Sequence, residues 1–217
     1  MKKISILLLS MIMISFFACK KDEVKEDQDS SKYQSKGYIP LKAGSYWIYQ
    51  SYRPTASGGD TAFGNIDSVY ISGTKEINSK TYYISVREGN AKFISYVRDS
   101  VGYLVDSLGN VIMSEVNFTD TIFSKTKYNS VTGKPLYHIS KIMYNEDKQI
   151  IVPAGTFNHC IEARDRAKVY MGNPAQPNPF YNHYYYAKNV GLVEYTYRFT
   201  GSATVFKVKL IRYHIAE

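Results

Sequence analysis

The sequence predicts an all-β body: a single antiparallel, strongly curved sheet (a half-barrel) or a sandwich, with little or no helix after the signal peptide. Three observations carry this expectation. Aromatic residues are abundant, with 21 Tyr, 10 Phe and 1 Trp, and aromatics suit pleated, half-buried surfaces. Apolar and polar residues alternate with period two in run after run. Clusters of Gly, Asn, Asp, Ser and Pro punctuate these runs at the spacing of about 8–12 residues typical of antiparallel β proteins.

The chain opens on an export signal. Lys2 and Lys3 form a basic start, Ile4–Phe17 an almost unbroken apolar run, and Ala18 a small residue before Cys19. This layout predicts a signal peptide over residues 1–18. A cysteine at the cleavage point predicts lipidation of Cys19, which becomes the acylated (palmitate-type) N-terminus. As a helix the apolar run rises only about 21 Å, at about 1.5 Å per residue, short of the roughly 30 Å hydrocarbon core. The expected arrangement is anchored rather than spanning. Residues 20–36 hold five Lys and five Asp or Glu, with only Val24 and Tyr33 to bury, so residues 19–36 read as the lipidated cysteine and a disordered charged tether. One β domain is expected over 37–217, long enough to bury a core without staples.

Along that domain, Tyr46-Trp47-Ile48-Tyr49 is apolar on both faces and needs cover on both sides. Ser57-Gly58-Gly59-Asp60 marks a turn. In Lys80–Arg87, Tyr82, Ile84 and Val86 share a face opposite Ser85 and Arg87. Turns follow at Arg98-Asp99-Ser100-Val101-Gly102 and Ser107-Leu108-Gly109-Asn110, and a loop over Asn129–Pro135. A strand ending near Val152 is expected to reverse at Pro153-Ala154-Gly155 into Thr156–Ala163. Gly172–Pro179, with three prolines, cannot join a ladder. A second hairpin is expected to set Phe180–Ala187 against Leu192–Phe199 around Lys188-Asn189-Val190-Gly191, with Asn189 or Gly191 in the left-handed region. Tyr195 and Phe199 then point inward and Glu194 and Arg198 to water.

Some of these segments resemble known proteins. Lys21, Asp22 and Glu23, just after Cys19, resemble the Lys/acidic patch that marks surface export in lipoproteins of the Bacteroidetes. Tyr38-Ile39-Pro40-Leu41-Lys42-Ala43-Gly44-Ser45-Tyr46-Trp47 resembles the start of the folded part in uncharacterised lipoproteins of that group. Val152–Phe157 and Tyr184–Val193 are similar to two hairpins of bacterial envelope proteins related to the outer-membrane lipoprotein carriers. The resemblance implies an outer-membrane lipoprotein, exposed at the cell surface or held at the periplasmic face, with a curved antiparallel sheet that can hold acyl chains. It carries over no catalytic residue.

Composition narrows the function classes. Without Lys2 and Lys3 the 27 basic and 19 acidic side chains become 25 and 19, a net charge of +6. The basic residues are scattered, the tightest being Arg164/Arg166/Lys168 and Lys207/Lys209 at alternate strand positions, which argues against a nucleic-acid partner. With Cys19 lipidated, Cys160 has no intramolecular disulfide partner; it reads as a small core residue beside Phe157 and Ile161. Neighbouring His159 and Cys160 point to opposite faces of a strand and form no dyad. His138, His159, His183 and His214 lack metal-ligand spacing, and Ser72-Gly73-Thr74-Lys75 lacks the helix and partner motifs of a Ser-x-x-Lys enzyme. Asp99 with Asp106, or Glu146 with Asp147, sit at loop tips as turn formers. No catalytic residue, metal or cofactor is expected. The reading is a monomeric, non-enzymatic binding or structural lipoprotein, joined to the outer membrane through its N-terminus, with a glycan, lipid or protein ligand. The alternative is an envelope hydrolase acting on glycans through a carboxylate pair.

Overall fold

Turn residues decide where this chain reverses. Val101-Gly102 (φ 53° and 85°) and Asn78-Ser79 (φ 51° and 59°) both hold the left-handed conformation at two successive positions. That is the type I′ geometry whose twist matches antiparallel strands. The computed structural model describes residues 33–170, 178–199 and 202–217. The signal segment, Cys19, Lys21, Asp22 and Glu23 lie outside them, as does most of Gly172–Pro179.

Twelve strands follow in order: β1 (Tyr46–Pro54), β2 (Asp60–Ile77), β3 (Lys80–Glu88), β4 (Phe93–Ser100), β5 (Tyr103–Asp106) and β6 (Val111–Ser114). Then come β7 (Thr121–Tyr128), β8 (Pro135–Val152), β9 (Gly155–Val169), β10 (Phe180–Ala187), β11 (Gly191–Tyr197) and β12 (Phe206–His214). No helix occurs among the described residues. All twelve belong to one sheet, ordered β6-β5-β4-β3-β2-β1-β12-β11-β10-β9-β8-β7, and every pairing is antiparallel. The edge strands β6 and β7 are consecutive in the chain, so the sheet curls until its two edges approach and nearly closes into a barrel. Lys141 on β8 spans this seam, its Nζ donating to the Ile112 carbonyl on β6 at 2.9 Å. The curved sheet is thus observed and the sandwich is not.

An up-and-down barrel has two ends. One carries the β2–β3, β4–β5, β8–β9 and β10–β11 turns, and residues 37–45 plug it. Ile39 is buried among Met113, Met143, Ile161, Ala163 and Tyr186. Gly191 (φ 89°) leaves room for Pro40, whose Cγ would lie 3.2 Å from an added Cβ. The long β8–β9 hairpin bends where the register shifts between Tyr144 and Lys148. Its tip folds back so that the Ala154 N–H donates to the Leu210 carbonyl at 3.1 Å, and Ile150 and Val152 join the core around Trp47, Val193 and Leu210. The other end, with the β1–β2, β3–β4, β5–β6 and β7–β8 turns, is the mouth.

Both hairpins around Pro153-Ala154 and Lys188-Asn189-Val190 form as the sequence predicts, with Gly155 at φ 143°, Asn189 at 60° and Gly191 at 89°. Three expectations need correction, those for Phe199, for Glu194 with Arg198 and for the tether. On β3 the alternation of Tyr82, Ile84 and Val86 against Ser85 and Arg87 holds, and the structure adds which face is interior. Tyr83, Ser85 and Arg87 face the interior, because Tyr83 packs on the Trp47 core and the other two line the cavity. Tyr82 and Val86 are buried on the opposite face. Phe199 is 57% exposed, since β11 ends at Tyr197 and no ladder aims Phe199 inward. Glu194 is half-buried opposite Lys209 rather than in open water, and Arg198, also half-buried, donates to the Ala203 carbonyl at 2.7 Å. Finally, Tyr33 and Lys36, expected in the tether, are held against the body by Glu115.

Candidate functional site

The interior of the curled sheet encloses a cavity of about 470 Å³, within the range of about 300–1,000 Å³ common for small-molecule sites. Its floor is the plug, through Tyr38, Ile39, Pro40 and Leu41. Trp47, Tyr49, Val69, Ile71, Val97, Tyr184 and Tyr186 form the walls, while Arg87, Ser95 and Tyr195 stand toward the mouth. Strand periodicity places them: Tyr184 and Tyr186 are two apart on β10, and Tyr184 pairs with Tyr195 on β11, ring centroids 5.8 Å apart and stacked at 11°.

The aromatic walls are fixed by their polar atoms. Trp47 Nε1 donates to the Val190 carbonyl at 2.6 Å, and the Tyr49 hydroxyl to the Leu192 carbonyl at 2.8 Å. Burial pushes the phenols of Tyr49, Tyr184, Tyr186 and Tyr195 above their ordinary range, so they line the cavity as neutral groups. Arg87 is the one charged residue of the lining. Its guanidinium is hydrogen-bonded to Asp67 and lies 3.4 Å from the Tyr195 hydroxyl. Farther along the inner face, Lys141 Nζ sits 3.6 Å from Asp165 Oδ1 and 5.2 Å from the centre of the Tyr184 ring. Burial raises the Asp165 carboxyl, with Lys141 opposing the rise.

Glu115, directly after β6, locks the plug. The side chain is completely buried. Its carboxylate accepts from the Tyr33 hydroxyl, from the Lys36 N–H at 2.6 Å and from the Tyr38 N–H at 2.9 Å. The opposite face carries a second buried carboxylate, Glu162, which binds Arg164 Nε at 2.6 Å and His183 Nδ1 at 2.7 Å.

A likeness to solved structures accompanies this geometry. An exported protein of Bacteroides fragilis, described as having a YmcC-like fold, superposes with a TM-score of 0.51 at 15% identity, over 83% of this chain and 100% of that one. The likeness is one of fold. A lipoprotein of Parabacteroides distasonis reaches only 0.48 at 13% identity, again over 83% of this chain and 100% of that one. No family model matches the chain, and no curated protein matches it.

The structure scatters the chemistry weighed in the sequence. Cys160 is fully buried, its Sγ 3.5 Å from the Phe157 carbonyl, and burial pushes its thiol up to about 11. His159 is exposed and bonded to Asp147 instead. His183 pairs in register with Arg164, away from His159, while His138 meets Thr126 at 2.9 Å and His214 lies beside the Tyr46 ring. Ser72–Lys75 lies within β2, beside a register shift. Asp106 closes its own turn, accepting from the Leu108 and Asn110 N–H groups, and Asp99 accepts from the Gly102 N–H at 2.8 Å. The side chain of Glu146 lies outside the described ones. Sequence reasoning missed Arg87, Glu115 and Asp165. Asp165 breaks the apolar alternate positions Ile161, Ala163 and Ala167 with a charge, which was the available signal, whereas Arg87, on a face shared with Ser85, offered none.

Proposed function

We propose that this chain is a lipid-anchored envelope protein that holds an elongated apolar ligand, the size of one acyl chain, inside its nearly closed sheet, and that it is a binding protein rather than an enzyme. The cavity carries this reading. It is walled by aromatic and aliphatic side chains, floored by the plug and open toward one end, and its lining holds no histidine, cysteine or carboxylate. A hydrolase acting on glycans needs a pair of carboxyls about 5–10 Å apart around its substrate, and this lining supplies none. The sequence resemblance to the lipoprotein carriers and the fold likeness to an exported Bacteroides protein both support an envelope setting. Anchoring through Cys19 and surface display through Lys21, Asp22 and Glu23 complete the reading.

Trp47, the single tryptophan, lines the cavity and so reports on occupancy. A brominated fatty acid should quench its fluorescence saturably, and Ser85→Phe, which fills the cavity, should remove the quenching. Unchanged Trp47 emission on titration would overturn the ligand reading. For the anchor, Cys19→Ala should abolish metabolic labelling with palmitate. Replacing Lys21, Asp22 and Glu23 by Ala should lower protease access on intact cells at constant lipoprotein level.

A further inference from the structure

We propose that the mouth end of the barrel is a docking surface for an anionic lipid bilayer, so that the cavity opens against the membrane it rests on. The position of the exposed apolar side chains points there. Of the eleven large hydrophobic residues that stand exposed among the described residues, six lie in or beside the four turns of the mouth end, and three more, Tyr170, Tyr181 and Phe199, border the β9–β10 and β11–β12 connections at that same end. Phe93 follows the β3–β4 turn at 63% exposure, Leu108 occupies the β5–β6 turn at 73%, and Val131 occupies the β7–β8 turn at 91%. Tyr128 and Tyr137 flank that last turn. At the plugged end only Ile151 is comparably exposed. Single exposed apolar residues need no explanation, but a concentration around one opening marks an interaction surface.

Charge selects the occupant. Arg53, Lys127, Lys134 and Lys168 are exposed at the same end. The acids there have partners of their own: Asp60 lies between Lys207 and Lys209 at 3.0 and 2.7 Å, Glu88 pairs at the surface with Lys92 at 2.7 Å, and Asp106 is taken up by its own turn. Tyr and Phe at the level of the head groups, with Lys and Arg reaching phosphates, is the chemistry of an interfacial anchor. A protein partner would gain little from exposed lysines, which are depleted in interfaces. The cavity reaches this end through Arg87 and Ser95, both exposed. Docking of the rim does not depend on the cavity being filled.

The test uses residues 20–217, which keep every described residue and lack the acylated cysteine. The protein should co-sediment with vesicles of phosphatidylglycerol and phosphatidylcholine, and about fivefold less with phosphatidylcholine alone or in about 0.5 M NaCl, where charges are screened within a few ångströms. Phe93→Ser combined with Val131→Ser should weaken binding about tenfold, while Ile151→Ser at the plugged end should change nothing. Ser85→Phe should still bind vesicles even though it no longer takes the fatty acid, which separates this surface from the ligand site. Failure to sediment with either vesicle overturns the proposal. So does equal weakening by Ile151→Ser, or capture of an envelope protein by the rim when vesicles are not bound.

Discussion

Glu115 and Glu162 are both fully buried carboxylates, 0% and 1% exposed, yet they are held in opposite ways. Glu115 takes neutral donors, a phenol and two backbone N–H groups, all from a segment 77–82 residues earlier in the chain. Glu162 takes side-chain groups, the Arg164 guanidinium from its own strand and the His183 ring from the next. Backbone donors cannot titrate, swing away or be screened. Glu115 therefore ties a distant segment to the sheet, whereas Glu162 is the centre of a local ionic cluster whose strength depends on the charge of its partners. Burial alone would raise the Glu162 carboxyl. His183 and Arg164 outweigh it and bring the group from an ordinary 4.5 down to about 2.

The sharpest way to break this contrast is Glu115→Ala. It strands three donors, each costing roughly 1–3 kcal/mol when left without an acceptor, so the urea midpoint should report a loss of about 3–5 kcal/mol. The plug should loosen with it, and alkylation of the buried Cys160 thiol should accelerate at least about tenfold, because labelling follows opening. A loss below about 1 kcal/mol would mean that the plug is seated by Ile39 and Pro40 alone.

Glu162→Gln should cost less, about 1–2 kcal/mol, because Arg164 and His183 are partly exposed and can turn to water. Here pH separates the two sites. With a folded value below the unfolded one, Glu162 contributes stability that is fully present above about 4.5 and disappears as pH falls through about 2. The wild-type stability curve should therefore fall more steeply between those limits than that of Glu162→Gln. Parallel curves would show that the cluster does not hold the charge.

The smallest effect is expected at Asp60. Its two lysines lower its carboxyl, but the pairs are partly exposed. Asp60→Asn should cost less than about 1 kcal/mol and lose even that in high salt. A larger cost would place Asp60 with the buried pair.

Sequence reasoning reached the hairpins because their signals are local. Pro153, Gly155, Asn189 and Gly191 impose turn geometry on their immediate neighbours whatever the rest of the chain does. It did not reach Glu115, whose partners are brought to it only by closure of the sheet. Nor did it orient β3, where Tyr82, Tyr83, Ile84 and Val86 offer apolar groups to both faces. Which face becomes interior is then decided by the direction of curl, and Ser85 and Arg87 follow it inward. Phe199 went wrong for a related reason: alternation extrapolates only as long as the strand lasts, and β11 stops two residues earlier.

The pairing of β1 with β12 sets an order of events. Tyr46 lies opposite His214, and Trp47 opposite Tyr213, so the middle of the sheet joins the first strand made to the last. Until β12 emerges, the chain is two separate meanders, each with an uncovered apolar face and an open edge. Contacts so distant in sequence form late and slowly. Closure of the curled sheet therefore rests on one long-range ladder, and β1 and β12 each remain an open edge until they meet.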